Sequence, residues 1–308
     1  GITIQNNRYP SYKWIKHSVG NKQSLINDQV NSIIEDSEGD LWYGTNNGIS
    51  LQDSKTGKWR SFLSTFENVQ NSKNHIFTTL CEVSPGIIWA GGYFSGLYQI
   101  DKRTSKTTYF TPASYAHESI RPDKYIRDIR KDSRGYVWSG GYYNLKRINV
   151  QTKDIRLYHG LHSVTAIIEK DDKSMWIGTA TGLFLLDIES GKYERIQLPV
   201  ESTYVYSLYQ TKQGSLYIGT SGSGVLIYDP QTKLFTHYYT GNCAMISNNI
   251  YTILSDEDNE ILLSTENGLT SFYPKQKTFY NWTKEMGLMT THFNASVSYT
   301  HLTLPTIA

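Results

Sequence analysis

The chain has 308 residues, a formal charge of +2 from 30 Lys and Arg against 28 Asp and Glu, and 13% aromatic residues, 24 of them Tyr. The basic residues are scattered, which argues against a nucleic-acid groove, and no apolar run approaches the roughly 18 residues of a membrane span. No signal peptide opens the chain, so any export signal or anchor of a parent protein lies outside it. Cys81 falls in an apolar strand and Cys243 in a loop of a different repeat. Free or inert thiols are expected rather than a staple, and two cysteines do not settle the compartment.

From the N-terminus, Tyr12-Lys13-Trp14-Ile15 reads as the outer strand of a sheet. Val30–Glu35 is a first strand, ended by the turn Asp36-Ser37-Glu38-Gly39. Residues 40–44 form a second strand and Asn46-Asn47-Gly48 a hairpin loop able to take positive φ. Residues 49–52 form a third strand, 53–58 a turn, and Trp59–Phe62 a fourth strand. The same order restarts at 76–80, 126–129, 164–168, 205–208 and 250–254. Each restart is followed by a copy of one phrase: Leu41-Trp42-Tyr43-Gly44-Thr45, Ile88-Trp89-Ala90-Gly91-Gly92, Val137-Trp138-Ser139-Gly140-Gly141, Met175-Trp176-Ile177-Gly178-Thr179, Leu216-Tyr217-Ile218-Gly219-Thr220 and a worn Ile261-Leu262-Leu263-Ser264-Thr265.

Positions 42, 89, 138, 176, 217 and 262 are 47, 49, 38, 41 and 45 residues apart, a mean of 44. That period, with four short strands per repeat, predicts an all-β propeller of six full four-stranded blades. The repeated Trp and Tyr are expected in the packing between blades, with each following Gly leaving room for the next blade's aromatic. Phe293-Asn294-Ala295-Ser296-Val297 matches a further first strand. With Tyr12–Ile15 it implies an incomplete seventh blade. Residues 299–308 contain no turn or aromatic of the repeat, and Pro305 cannot donate to a ladder. The expected organisation is therefore a propeller over 1–298 and a non-native tail over 299–308, with an open gap prone to self-association, for instance as a homodimer.

The pattern Asn27-x-x-Val30-x-Ser32-Ile33-x-x-Asp36-x-x-Gly39-x-Leu41-Trp42-x-Gly44-Thr45-x-x-Gly48, echoed in Ser247-Asn248-Asn249-Ile250-Tyr251-Thr252-Ile253-Leu254-x-Asp256 and in Gly287-Leu288-x-x-x-x-Phe293-Asn294, resembles the two-component regulator propeller family. The resemblance covers roughly residues 12–298 and rests on its repetition. It implies the periplasmic sensor region of a hybrid two-component system from Bacteroides-type bacteria. The longer parent would carry further propeller blades, one membrane helix, a histidine kinase core, a receiver and a DNA-binding output. The implied ligand is an oligosaccharide, with no cofactor and with membrane attachment only through the parent's helix. Blade six, where Leu262 replaces the aromatic, and the ending after residue 298 depart from the pattern.

Loops at one end of the blades vary, and variable loops on a rigid scaffold carry binding. The residue before each first strand is Gln29, His75, Tyr125, Ser163, Tyr204, Asn249 or His292, and Arg127, Tyr206 and Tyr251 lie one step further in. Blades two and three add Tyr93-Phe94 and Tyr142-Tyr143 in place of Asn46-Asn47. Aromatic faces beside amides and a guanidinium suit a sugar's C–H patches and hydroxyls. The expected ligand-binding set is His75, Tyr93, Phe94, Tyr125, Arg127, Tyr142, Tyr143, Tyr204, Tyr206, Asn249 and Tyr251; sealing of the blade tops is the competing account. His159-Gly160-Leu161-His162 has metal-like spacing but no evident third ligand. Asp171-Asp172 and Asp256-Glu257-Asp258 fall in turns at the opposite end. No catalytic residue is assigned. A carbohydrate-active propeller enzyme (lyase or glycosidase) and a protein-interaction scaffold remain the alternatives to a sensor.

Overall fold

The computed structural model describes residues 15–64, 75–110, 124–255, 260–282 and 298–300, together with Lys284, Leu288 and Phe293. Six antiparallel four-stranded sheets follow one another along the chain, each a simple meander. Blade one is β1 (Val30–Glu35), β2 (Leu41–Thr45), β3 (Gly48–Gln52) and β4 (Trp59–Phe62). Blade two is β5 (Ile76–Ser84), β6 (Ile87–Tyr93), β7 (Gly96–Asp101) and β8 (Thr107–Tyr109). Blade three is β9 (Ile126–Lys131), β10 (Tyr136–Gly141), β11 (Leu145–Asn149) and β12 (Ile155–Tyr158). Blade four is β13 (Val164–Asp171), β14 (Ser174–Thr179), β15 (Gly182–Asp187) and β16 (Tyr193–Ile196). Blade five is β17 (Val205–Gln210), β18 (Leu216–Thr220), β19 (Val225–Asp229) and β20 (Leu234–Tyr238). Blade six is β21 (Ile250–Ser255), β22 (Ile261–Thr265), β23 (Gly268–Tyr273) and β24 (Thr278–Trp282). The inner strands β1, β5, β9, β13, β17 and β21 pack successively against one another around a channel. The protein is thus an all-β, six-bladed propeller, as the period predicts.

The blades bury their faces only against each other. Trp42 packs with Phe77, Leu80, Ile88 and Ile100 of blade two; Trp89 with Ile126, Ile129, Val137 and Ile148 of blade three. Trp138 packs with Val164, Ile167, Met175 and Ile177 of blade four, Trp176 with Val205, Leu208, Leu216 and Ile218 of blade five, and Tyr217 with Ile250, Ile253 and Phe272 of blade six. None of the four Trp is more than 1% exposed. At roughly 200 Å² per ring, each burial is worth on the order of 5 kcal/mol before the cost of ordering. Leu262 of blade six is only half-buried and joins none of these clusters.

The glycine after each aromatic sits in the same joint, but its partner differs from the expected aromatic. A Cβ on Gly91 would lie 2.6 Å from Ile126 Cγ2, one on Gly140 2.4 Å from Val164 Cγ1, and one on Gly178 2.8 Å from Val205 Cγ1. In blades two, three and four the missing side chain therefore admits the branched first residue of the next blade's inner strand, whereas a Cβ on Gly44 of blade one would meet Phe77 O at 3.1 Å. The aromatic, two residues back on the same strand, lies on the same side of the sheet and caps that contact.

The turns opposite the candidate mouth clamp blade to blade. Lys102, 5% exposed, leaves the third strand of blade two and places Nζ 2.6 Å from Asp36 Oδ2, 2.7 Å from Glu38 Oε2 and 2.7 Å from Asp40 Oδ2 in blade one. Asp36 also accepts from Trp42 Nε1 at 2.8 Å. Burial alone would raise the Asp36 carboxyl, but hydrogen bonds from Lys102, Trp42 and the Asp40 and Glu38 amides outweigh it and hold it below its ordinary value. Glu82 of blade two receives the Ser37 amide and hydroxyl at 2.7 and 3.0 Å, and Glu169 of blade four receives those of Ser133 at 2.8 and 2.6 Å. Both cysteines are free, and burial pushes the Cys81 thiol up to about 11.

The incomplete seventh blade is not seen among the described residues. Ile15 is not in a strand, and residues 12–14 and 294–297 lie outside the described set. The structure shows instead a short strand, β25 (Ser298–Thr300), paired in parallel with β1 through Ser32 to Ile34. It stands on the channel side of blade one and also contacts β21 of blade six.

Two stability outcomes are expected. Gly140→Ala drives a methyl into Val164 and loses about 1–3 kcal/mol by overpacking, and adding Val164→Ala recovers part of the loss; thermal unfolding of the two variants measures both. Lys102→Met strips the cation from buried carboxylates and costs about 3–5 kcal/mol at neutral pH. Asp36, with its lowered pKa, contributes fully above the ordinary carboxylate value of 3.8 and loses its contribution as pH falls through the folded value. Lys102, whose pKa is raised, contributes fully below the ordinary value of 10.5. The Lys102→Met penalty is therefore largest near neutrality and shrinks as pH falls toward about 4, where the unpaired carboxylates take up protons; urea unfolding at both pH values reads it.

Candidate functional site

Every inner strand carries a bulge near its start, at the second residue or, in blade two, the third, where the register skips Asn31, Thr78, Arg127, Thr165, Tyr206 and Tyr251 in blades one to six. A bulge re-aims its side chain, and these six divide into two groups. In the first, the side chain reaches the carbonyl of the residue just before the bulge in the next blade's inner strand. Asn31 Nδ2 donates to Phe77 O at 3.2 Å, Thr78 Oγ1 to Ile126 O at 2.6 Å and Thr165 Oγ1 to Val205 O at 2.5 Å. In the second, Arg127, Tyr206 and Tyr251 line the channel cavity.

The backbone before four of the inner strands is committed to the scaffold. The carbonyls of Gln29, Tyr125, Ser163 and Tyr204 accept from the amides of Asn46, Tyr142, Ala180 and Ser221, at 3.0–3.2 Å, pinning each loop after the second strand. Gln29 Oε1 also accepts from Asn46 Nδ2, whereas the Tyr125 and Tyr204 rings stand at the channel mouth. There Tyr93, Phe94, Tyr125, Tyr142 and Tyr143 form one aromatic wall, with ring centroids 4.3–6.1 Å apart in tilted and edge-to-face contacts. Tyr142 is 61% exposed and Tyr93, Phe94 and Tyr143 are 47%, 46% and 40% exposed, so this wall presents a contiguous apolar face to solvent. Phe94 holds a left-handed φ of 61°, unusual for a bulky residue, where it meets both Tyr93 and Tyr125. A second wall comes from blades five and six: Tyr204 lies 4.8 Å from Tyr206, which meets Tyr251 edge-on at 5.2 Å. Arg127 of blade three reaches past blade four and donates from Nη1 to the Tyr204 hydroxyl.

Between the walls opens a cavity of about 580 Å³. Of the expected set, Tyr93, Tyr125, Arg127, Tyr142, Tyr143, Tyr206 and Tyr251 line it. Phe94 and Tyr204 stand directly behind, through the ring contacts and the Arg127 bond. His75 and Asn249 are not brought in. The His75 ring bonds Leu63 O through Nδ1 at 2.8 Å, and the Asn249 carboxamide accepts from Ser221 at 3.4 Å. His292 lies outside the described residues.

The floor was not anticipated from the pattern. It includes Thr78, Asp128, Arg130, Thr165, Ser207 and Thr252. Asp128 is 2% exposed, accepts from the Ile167 amide at 2.8 Å and pairs with Arg130 Nε at 3.1 Å. Burial raises its pKa against the pull of Arg130 and of the Ile167 and Ile129 amides. One signal was available: Ile126-Arg127-Asp128-Ile129-Arg130-Lys131 carries four charges in a strand position that is largely apolar elsewhere. At the mouth, desolvation and then the neighbouring phenols of Tyr93, Tyr143 and Tyr142 raise Tyr125, and desolvation, Tyr206 and Glu266 raise Tyr251. Both phenols stay neutral donors across the physiological range. The His162 ring bonds the Tyr143 carbonyl through Nδ1, and among the described residues no cluster of His, Cys, Asp and Glu could hold a metal ion. No helix among the described residues is long and apolar enough to cross a membrane.

Known proteins bear on this geometry. Residues 24–47 and 199–222 match the repeat described as two component regulator propeller. The chain is 25% identical over 291 residues, 87% of its length, to histidine kinase P4 of Formosa agariphila, of which it spans 21%. Among solved structures, it superposes with a TM-score of 0.73 on the extracellular domain of BT3049 from B. thetaiotaomicron, a protein assigned to a hybrid two component system. The identity is 19%, with 91% of this chain and 38% of that one covered. It superposes with a TM-score of 0.66 and 15% identity on virginiamycin B lyase from Staphylococcus aureus, covering 84% of this chain and 86% of the lyase. Both likenesses are of fold, whereas the repeat match is of sequence. Two stretches of the chain, in blades one and five, thus carry the two component regulator propeller repeat.

Proposed function

We propose that this chain is the ligand-sensing, extracytoplasmic propeller of a hybrid two-component system, standing in the periplasm. It binds an oligosaccharide at the channel mouth and passes the signal to a histidine kinase outside this chain. The observation that carries the reading is the pair of aromatic walls facing one cavity of about 580 Å³, a volume in the range of small-molecule sites. Sugar rings present C–H faces that pack on Tyr and hydroxyls that bond phenols and a guanidinium. Rings from blades two, three, five and six surround the cavity, so a bound ligand touches several blades at once and its binding energy is felt across the disc.

Binding without turnover is the favoured form. The carboxylate lining the cavity, Asp128, is engaged by Arg130 and the Ile167 amide, and the raised phenols of Tyr125 and Tyr251 are poor bases. An incomplete seventh blade belongs to the same proposal. Its inner strand would stand where β25 lies, and its outer strands would cover the half-buried Leu262. Further propeller and kinase domains of a parent protein would complete the sensor.

Incubation with a panel of glycan oligosaccharides, read by thermal shift and by chromatography, tests this. A ligand at 100 times its Kd is expected to add about 2.7 kcal/mol of stability, with no product. Tyr142→Ala and Tyr206→Ala should each weaken binding by roughly 3–10-fold through a lost stacking contact, with the melting temperature of the free protein unchanged. Product formation would move the chain to the carbohydrate-active enzymes; melting without loss of affinity would return these rings to blade packing.

A further inference from the structure

We infer that the oligosaccharide taken by this mouth is acidic, carrying a carboxylate or a sulfate ester, and that Arg127 is its anchor; the inference rests on the sugar-binding reading above. Three charged side chains line the cavity among the described residues: Arg127, Asp128 and Arg130. Asp128 and Arg130 neutralise each other at 3.1 Å on the floor. Arg127 has no carboxylate partner among the described residues. The cavity therefore holds one uncompensated guanidinium between two aromatic walls.

Arg127 is also released from the scaffold's work. At the same bulge position Asn31, Thr78 and Thr165 tie one blade to the next. Arg127 does not tie to blade four; it crosses it to rest on the Tyr204 hydroxyl in blade five. A phenol oxygen is a neutral, single acceptor. A carboxylate or sulfate offers two or more anionic oxygens that match the guanidinium fork and bind it about twice as strongly. An acidic sugar entering between the walls thus displaces Tyr204 from Arg127, and the strut across the mouth becomes a clamp on the ligand. Because Tyr204 stacks on Tyr206 and Tyr206 on Tyr251, the exchange reaches blades five and six.

Isothermal titration of the purified chain with tetragalacturonate, its methyl ester, a chondroitin sulfate tetrasaccharide and maltotetraose tests the inference. The expected result is binding of an acidic member, weaker at high salt, and lost about tenfold or more in Arg127→Gln. Arg127→Lys, which keeps the charge without the fork, should fall between. Tyr204→Phe, which keeps the ring and removes the competing acceptor, should hold or strengthen acidic binding; weakening there would mean that the Arg127–Tyr204 bond serves only to build the mouth, and would overturn the exchange. Binding of the neutral sugars alone, or acidic binding untouched in Arg127→Gln with the fold intact, overturns the acidic inference while leaving the sugar site standing. Binding of no sugar of either kind removes both.

Discussion

The joint between a glycine and the next blade's branched residue is the constraint on which this propeller depends. A blade has one aromatic on its second strand and, two residues on, no side chain at all. Into that space goes Ile126, Val164 or Val205, and the aromatic closes over the apolar cluster around it. An isolated four-stranded meander has two such faces and can bury neither by itself. Blade angle is therefore set at the joint: a Cβ would force the inner strands apart, and the channel radius with them. Blade six shows the converse. There Leu262 and Ser264 stand in place of the aromatic and the glycine, and Leu262 is only half-buried.

The two ends of the disc then do different work. At one end, Asp36, Asp40, Glu82 and Glu169 are consumed by Lys102, Ser37 and Ser133 in clamps between neighbouring blades. Charges are buried there because each meets a partner, the condition under which burial is tolerated. At the other end, backbone carbonyls before the inner strands hold the loops, so the side chains need not. That economy lets blade three carry Tyr142-Tyr143 in place of the short Asn-rich loop of blade one without losing the turn.

The bulge makes the same division at the scale of one residue. A regular strand would send its second side chain into the ladder's alternation, packed against a neighbour. The unpaired residue instead faces the channel, and its identity decides between holding the ring and meeting what enters it. Short polar residues latch to the next blade; long ones extend into the cavity. With Arg127, Tyr206 and Tyr251 in the long class, blades three, five and six gave up a latch for contact surface. Blades three and five still hold through Gly140 and Gly219 on their second strands, where a Cβ would run into Val164 and Ile250.

Fold class, the six full blades and the strands Val30–Glu35 and Trp59–Phe62 could be read from the chain because a propeller writes its structure as a period, and six copies average out the noise of any one. The burial of Trp42, Trp89, Trp138 and Trp176 followed from that period too, since equivalent positions must meet equivalent neighbours. The aromatic rim was legible as a departure from the repeat at Tyr93-Phe94 and Tyr142-Tyr143. What the period could not carry is anything that depends on distance across the ring. Arg127 meeting Tyr204 over 77 residues, Asp128 paired beneath them, and His75 turned away to Leu63 are decided by channel curvature and by the bulge, neither of which alters the spacing of residues along the chain. The partner of the conserved-looking glycine was misjudged for the same reason: sequence reports that a side chain is missing, and only packing between blades decides which neighbour fills the space.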